Sequence, residues 1–206
     1  MAKKKNVNSK KIEITPNYDK KRIFAVVIDW LLGGTLSGLP AVITFAQLTG
    51  SSKPVKDLYI FEALGYGKVW TIGVAISCLL IGFIYYVIIP WKVWPGQTLG
   101  KKLTNLKIVK LDESIPSFLD YFVRNFMFLF FVEGVATPLS MYIKVLLTTM
   151  TRVYMDNYLS WIWNIITMLS FIMLIYSKRH LAIHDLDTKT KVISWEGDKN
   201  FVQQSN

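Results

Sequence analysis

The sequence predicts an all-α integral membrane protein with four transmembrane helices, both termini cytoplasmic, and a short cytoplasmic loop or ribbon. Three observations carry this. Four apolar runs are each long enough to cross a bilayer. Apolar residues make up 52% of the 206-residue chain and charged residues only 18%, against about 25% charged in an average soluble protein. Lysine and arginine, 24 against 14 acids for a net charge of +10, are gathered in alternate connecting segments. The apolar content excludes a disordered chain. The one cysteine, Cys78, excludes a disulfide scaffold.

Residues 1–21 form a basic cytoplasmic segment. The first run, Ile23–Leu48, contains one charge, Asp29. It exceeds the roughly 7–15 apolar residues of a cleaved signal, so it reads as a signal anchor. Gly34 and Gly38 form a small-xxx-small pair suited to close helix contact; unwinding beside an ion site is the alternative. The second run, Val69–Pro90, has no charge, and Trp70, Trp91 and Trp94 stand at its ends as interface anchors. About 20 apolar residues at 1.5 Å each span the roughly 30 Å hydrocarbon core.

The second loop carries Pro95-Gly96-Gln97-Thr98-Leu99-Gly100-Lys101, a turn flanked by glycines. The partly alternating stretch Leu106–Leu111 follows, then a turn at Asp112-Glu113-Ser114. Ile115–Arg124 is amphipathic and leads into the third run, Asn125–Ile143, whose single charge is Glu133. Pro138 is expected to kink that helix. Val145–Tyr158 reads as an outer interfacial segment or as an extension of the third helix. The fourth run, Leu159–Ser177, has no charge. In the tail, Thr190–Ile193 is suited to pair with Leu106–Val109 as a small ribbon, and residues 195–206 remain as a cytoplasmic extension.

Charge fixes the orientation. Alternating sides hold 19 and 5 of the lysines and arginines, and the richer side faces the cytoplasm. The expected location is the plasma membrane, N-in and C-in. Anionic lipid at the cytoplasmic face accounts for the basic charge, so nucleic acid is not an expected partner although a basic pI often indicates one.

A charge at mid-bilayer is costly and needs a reason. Asp29 lies about 10 Å along the helix from Arg22, and Glu133 about 13 Å from Arg124. Both helices run outward, so the carboxylates share a depth. In contact they would form an ion or proton pathway, because two adjacent carboxylates cannot both stay ionised. Buried structural groups are the alternative. His180 and His184 share a helix face, but no third ligand is evident, so no metal is expected. No nucleophile elbow, phosphate loop or dinucleotide fingerprint is present. Neither an enzyme nor a cofactor is expected.

Four motifs in order resemble the RDD family of small polytopic membrane proteins, named for one arginine and two aspartates. They are Arg22 with Asp29 in the first run, Gly96-Gln97-Thr98-Leu99-Gly100-Lys101 in the loop, Arg124-Asn125, and His184-Asp185 with Thr190 and Val192. The resemblance spans roughly residues 18–194, and residues 22–194 are taken as the RDD-like transmembrane domain, with spans near 23–48, 69–90, 125–143 and 159–177. Lys189 stands where the family usually has glycine, Asp187 where it usually has an apolar residue, and the fourth span goes beyond the minimal family plan. The resemblance implies an integral membrane protein. Members have been associated with cation/proton antiport, and others act beside a partner membrane protein.

Beyond that pattern, Arg22 and Asp185 should lie at the same membrane level. They are expected to form an ion pair, supported by His184, that closes an inner gate above Asp29. The expected function is a small ion- or proton-coupled transporter such as a cation/proton antiporter, acting as a homo-oligomer or with a partner. The alternative is a non-transporting accessory or regulatory subunit of a membrane enzyme or secretion complex.

Overall fold

The computed structural model describes residues 18–51, 55, 57–132, 138–176 and 182–195. Helix α1 (Tyr18–Thr49) runs without a break for 32 residues, through Gly33-Gly34 and Pro40. It does not unwind, so of the two readings of its glycines the packing one holds. Gly33 lies against the Tyr86 ring, Gly34 against Pro138, and Gly38 beside the Tyr142 hydroxyl. A side chain at either of the first two would overlap its neighbour.

A short helix α2 (Ile60–Ala63) precedes α3 (Lys68–Phe83). This continues directly into a π-helical segment, Ile84–Val93, to complete the second span. Pro90 explains part of this change. It has no N–H to offer the preceding turn, and the Tyr86 carbonyl one α-turn before it accepts from Asn125 Nδ2 at 2.6 Å. A second π-helical segment, Phe122–Val132, follows α5 (Phe118–Tyr121). Phe83, at the end of α3, packs edge-on against the stacked rings of Phe122 and Phe126 in the second π-helical segment.

Among the described residues, three helices are long and apolar enough to cross a membrane: Lys20–Thr49, Lys68–Val93 and Asp156–Tyr176. The expected third run, 125–143, is not among them. The chain is π-helical to Val132 and helical again in α6 (Ser140–Thr151). Residues 133–137, Glu133 included, lie outside the described residues. Helix α6 passes Ile143 and ends where Arg152 takes a left-handed conformation (φ 61°). The segment after Ile143 thus begins as an extension of helix. Helix α7 (Asp156–Tyr176) follows, packed mainly on α6 and the second π-helical segment.

One end of the molecule gathers α4 (Leu99–Leu103), β1 (Leu106–Lys110), α8 (Ile183–Asp187) and β2 (Thr190–Ser194). The strands pair antiparallel with Ile108 opposite Val192, as the sequence suggests. Leu106, Ile108 and Val192 turn inward against Val87 and Tyr121, while Lys107 and Lys191 point away from that core. At the opposite end, Tyr59 and Thr148 donate hydrogen bonds to Asp156 Oδ1 at 2.9 and 3.1 Å. Between the ends lies a core built on Phe61, Cys78, Leu139 and Tyr142. The outward faces of α1 (Phe24, Val27, Leu31) and α7 (Trp161, Ile165, Met168) are exposed and apolar, as a lipid-facing surface must be.

Gly82 touches the fully buried Leu139 with no room for a methyl group, whereas a Cβ at Gly73 meets nothing within 4 Å. Overpacking costs about 1–3 kcal/mol. Gly82→Ala is therefore expected to lower the thermal midpoint in detergent by that amount of stability. Gly73→Ala should leave the midpoint unchanged or raise it, and circular dichroism melts of both variants check this.

Candidate functional site

Asp29 sits on α1 facing the loop between the second and third spans, and it is almost wholly buried. Its Oδ1 accepts from the Tyr85 hydroxyl and the Gly100 backbone N–H, each at 2.8 Å. Its Oδ2 accepts from Thr98 Oγ1 at 2.5 Å and faces Lys101 Nζ at 3.4 Å. Two bonds on each oxygen match the acceptor capacity of an ionised carboxylate. Tyr86 adds a bond from its hydroxyl to the Asp29 carbonyl at 2.8 Å. The loop motif explains its own spacing. Thr98 caps α4 and also grips the carboxylate. Gly100 must lack a side chain, because a Cβ there would strike the Ala25 carbonyl and the Asp29 carboxylate. Gly96 holds φ +86° in the turn, where a Cβ would meet the Ile108 carbonyl. Burial works against the charge of Lys101 and is the largest influence on it. Asp29 works for it and Arg124 against, and the net effect lowers its pKa.

The second cluster centres on Asp185, which is completely buried. Arg22 Nη2 donates to Oδ2 at 2.7 Å, so the expected pairing is present. The Ala182 N–H donates to the same oxygen at 3.0 Å. Arg124 Nη1 lies 2.5 Å from Oδ1, with its hydrogen bond directed at the Thr190 hydroxyl. His184 Nε2 stands 3.6 Å from Oδ1. Burial alone would raise the pKa of Asp185. Arg124, His184, Arg22 and the Ala182 N–H together outweigh it and hold the carboxyl well below the usual range.

These clusters border one cavity of about 320 Å³ between α1 and α7. Arg22, Asp29, Lys101, Arg124 and His184 line its polar part, and Val26, Val27, Phe171 and Leu174 its apolar walls. Arg22, Asp29 and His184, chosen from sequence, therefore meet at one place, with Lys101 beside them. Asp185 stands directly behind the arginines. Glu133 lies outside the described residues. Sequence reasoning missed three partners. Arg124 stands in the sequence as a motif residue, and its place as the second arm on Asp185 is signalled only by its opening the third span as Arg22 opens the first. Thr98 and Tyr85 were not connected with Asp29. Their only sequence signal is a hydroxyl residue in the loop motif and a tyrosine pair in an otherwise apolar run.

A family model described as the RDD family matches residues 20–199. No curated protein and no solved structure matches the chain.

Removing Asp185 strands two buried guanidinium charges, a change that typically costs about 3–5 kcal/mol. Asp185→Asn is expected to destabilise the purified protein by that order. Because the folded pKa is depressed, the stabilisation is fully present above the ordinary carboxyl value of 3.8 and is lost as pH falls below it. The midpoint difference between wild type and Asp185→Asn should therefore persist from pH 8 down to pH 5 and shrink only in stronger acid. Thermal melts across that range test the expectation. Gly100→Ala should also lower the midpoint, by pushing α4 off α1.

Proposed function

The chain belongs to the RDD family, and we propose that this membrane protein is a small ion- or proton-coupled transporter whose working site is the cavity beside Asp29. One observation carries the reading. A buried carboxylate in a membrane helix borders a cavity and is held by a loop lysine at 3.4 Å, the longest of its four contacts. A proton arriving at Asp29 cancels the attraction to Lys101 and removes one acceptor from the donors around it. The grip of α4 on α1 then loosens. Loss of the proton restores it, so protonation and loop position are coupled. Arg22, Asp185 and His184 act in this scheme as an inner gate that keeps the tail seated over the cavity mouth.

The lining favours the proton over a metal cation as coupling ion, since Arg22, Lys101 and Arg124 face Asp29, the single acid among the described lining residues. In this reading the basic end faces the cytoplasm, by the excess of lysine and arginine there, and the membrane is the plasma membrane. The same reading assigns the chain no enzymatic step. So few spans leave little material for alternating access, so a homo-oligomer or partner membrane protein completes the path.

A second reading, an accessory or regulatory subunit without transport, is favoured by the full set of donors on Asp29. A carboxylate so completely bonded also suits a permanent latch between loop and helix.

Proton and sodium flux in proteoliposomes separates the two. The transporter reading expects flux in wild type and its loss, by at least about tenfold, in Asp29→Asn that retains the wild-type thermal midpoint. Absence of flux in well-folded wild type would remove transport and leave the accessory reading. Glu133→Gln in the same assay tests whether the second membrane acid belongs to the path.

A further inference from the structure

We infer that the cavity between α1 and α7 binds the headgroup of an anionic phospholipid entering from the leaflet at the basic end. Three features support this, none of which requires transport. The first is charge. Arg22, Lys101 and Arg124 border the cavity, against Asp29 from within it and Asp185 behind the wall. Cations outnumber carboxylates among these described residues even with Asp185 counted, and a phosphodiester carries the single negative charge that balances the set.

The second is access. Helix α7 packs mainly on α6 and the second π-helical segment rather than on α1. Val26, Val27 and Phe171 line the cavity yet are 49%, 48% and 46% exposed. A cavity whose rim is apolar and lipid-facing is entered from the hydrocarbon side, and acyl chains can lie along that rim while the phosphate reaches inward. The third is polar capacity. Thr167 Oγ1 is buried with no hydrogen-bond partner among the described residues, and it lines the cavity with Ser170. A buried hydroxyl left unpaired is costly, and a phosphate oxygen would accept a hydrogen bond from it. The volume of about 320 Å³ falls at the lower end of the roughly 300–1,000 Å³ range of small-molecule sites, suited to a headgroup rather than a whole lipid.

The test uses the full chain purified in neutral detergent, with equimolar dioleoyl phosphatidylglycerol and phosphatidylcholine added, and native mass spectrometry as readout. Wild type should retain one phosphatidylglycerol with about a tenfold preference, of the order expected for one added charge pairing near the membrane surface. Thr167→Phe, which fills the cavity from α7, should bring the preference to parity. Lys102 and Lys107 stack on Trp94 and Trp195 outside the cavity, so the double variant Lys102→Gln/Lys107→Gln should keep it. If Thr167→Phe lowers the thermal midpoint, Ser170→Leu replaces it as the blocking variant. Parity in wild type, a preference that survives a well-folded blocking variant, or equal loss in the surface variant would each overturn the proposal. Retention of added oleate in place of phosphatidylglycerol would overturn it as well, since the occupant would then be a free carboxylate. Binding is read without flux, so this result stands apart from the transport assay.

Discussion

A buried carboxylate between two arginines organises the basic end of the molecule. Asp185 has no solvent to stabilise it, and neither Arg22 nor Arg124 has much. Each group is tolerable there only because the others are present. The three residues belong to the first span, the start of the third expected span and the segment after the fourth. Satisfying one charge therefore fixes three distant parts of the chain relative to each other. The ribbon follows from the same contact, because Arg124 also holds Thr190 at the first residue of β2.

Asp29 is governed by the same cost and answers it differently. Its partners come from neutral or weakly polar groups, with one lysine at longer range. To deliver them, the loop must fold back beside α1, and the second span must present Tyr85 and Tyr86 to one helix face. The π-helical winding serves this need. Its i→i+5 bonding widens the turn and brings consecutive side chains closer in direction, so both tyrosines reach Asp29. Tyr85 and Tyr86 lie in one π-helical segment, Arg124 and Asn125 in the other. The unusual backbone thus coincides with the polar sites, as it often does in helices that carry function.

The spans near 23–48, 69–90 and 159–177 were legible because apolar length alone defines them. The Arg22–Asp185 pair was legible because membrane level constrains both residues. The ribbon was legible from alternation in Leu106–Leu111. The winding within the third run was not, since uniform apolarity does not reveal where an α-helix becomes π-helical. The target of the Gly96–Lys101 motif was hidden for another reason. Its partner lies 69 to 72 residues away, and only tertiary packing tells which helix face receives the loop. The sequence allows Asp29 a second acid, Glu133, if their helices touch, and Glu133 lies outside the described residues. Among the described residues the neighbours of Asp29 are donors, so the chemistry available to it is set by the loop.

The separation of Arg22 and Asp185 by 163 residues has a consequence for how the protein is made. Ribosomes add about 5–20 residues per second, so the first helix enters the membrane on the order of ten seconds before the carboxylate it needs exists. Asp29 also waits, for a shorter time, until Thr98 and Gly100 have emerged. During that interval a nascent chain carries uncompensated charge within or beside the bilayer, a state that insertion machinery must shelter. A chain cut short before Asp185 never leaves it. Completion of synthesis is thereby coupled to burial of the arginines, and an incomplete copy differs from a finished one by positive charge left without its partner.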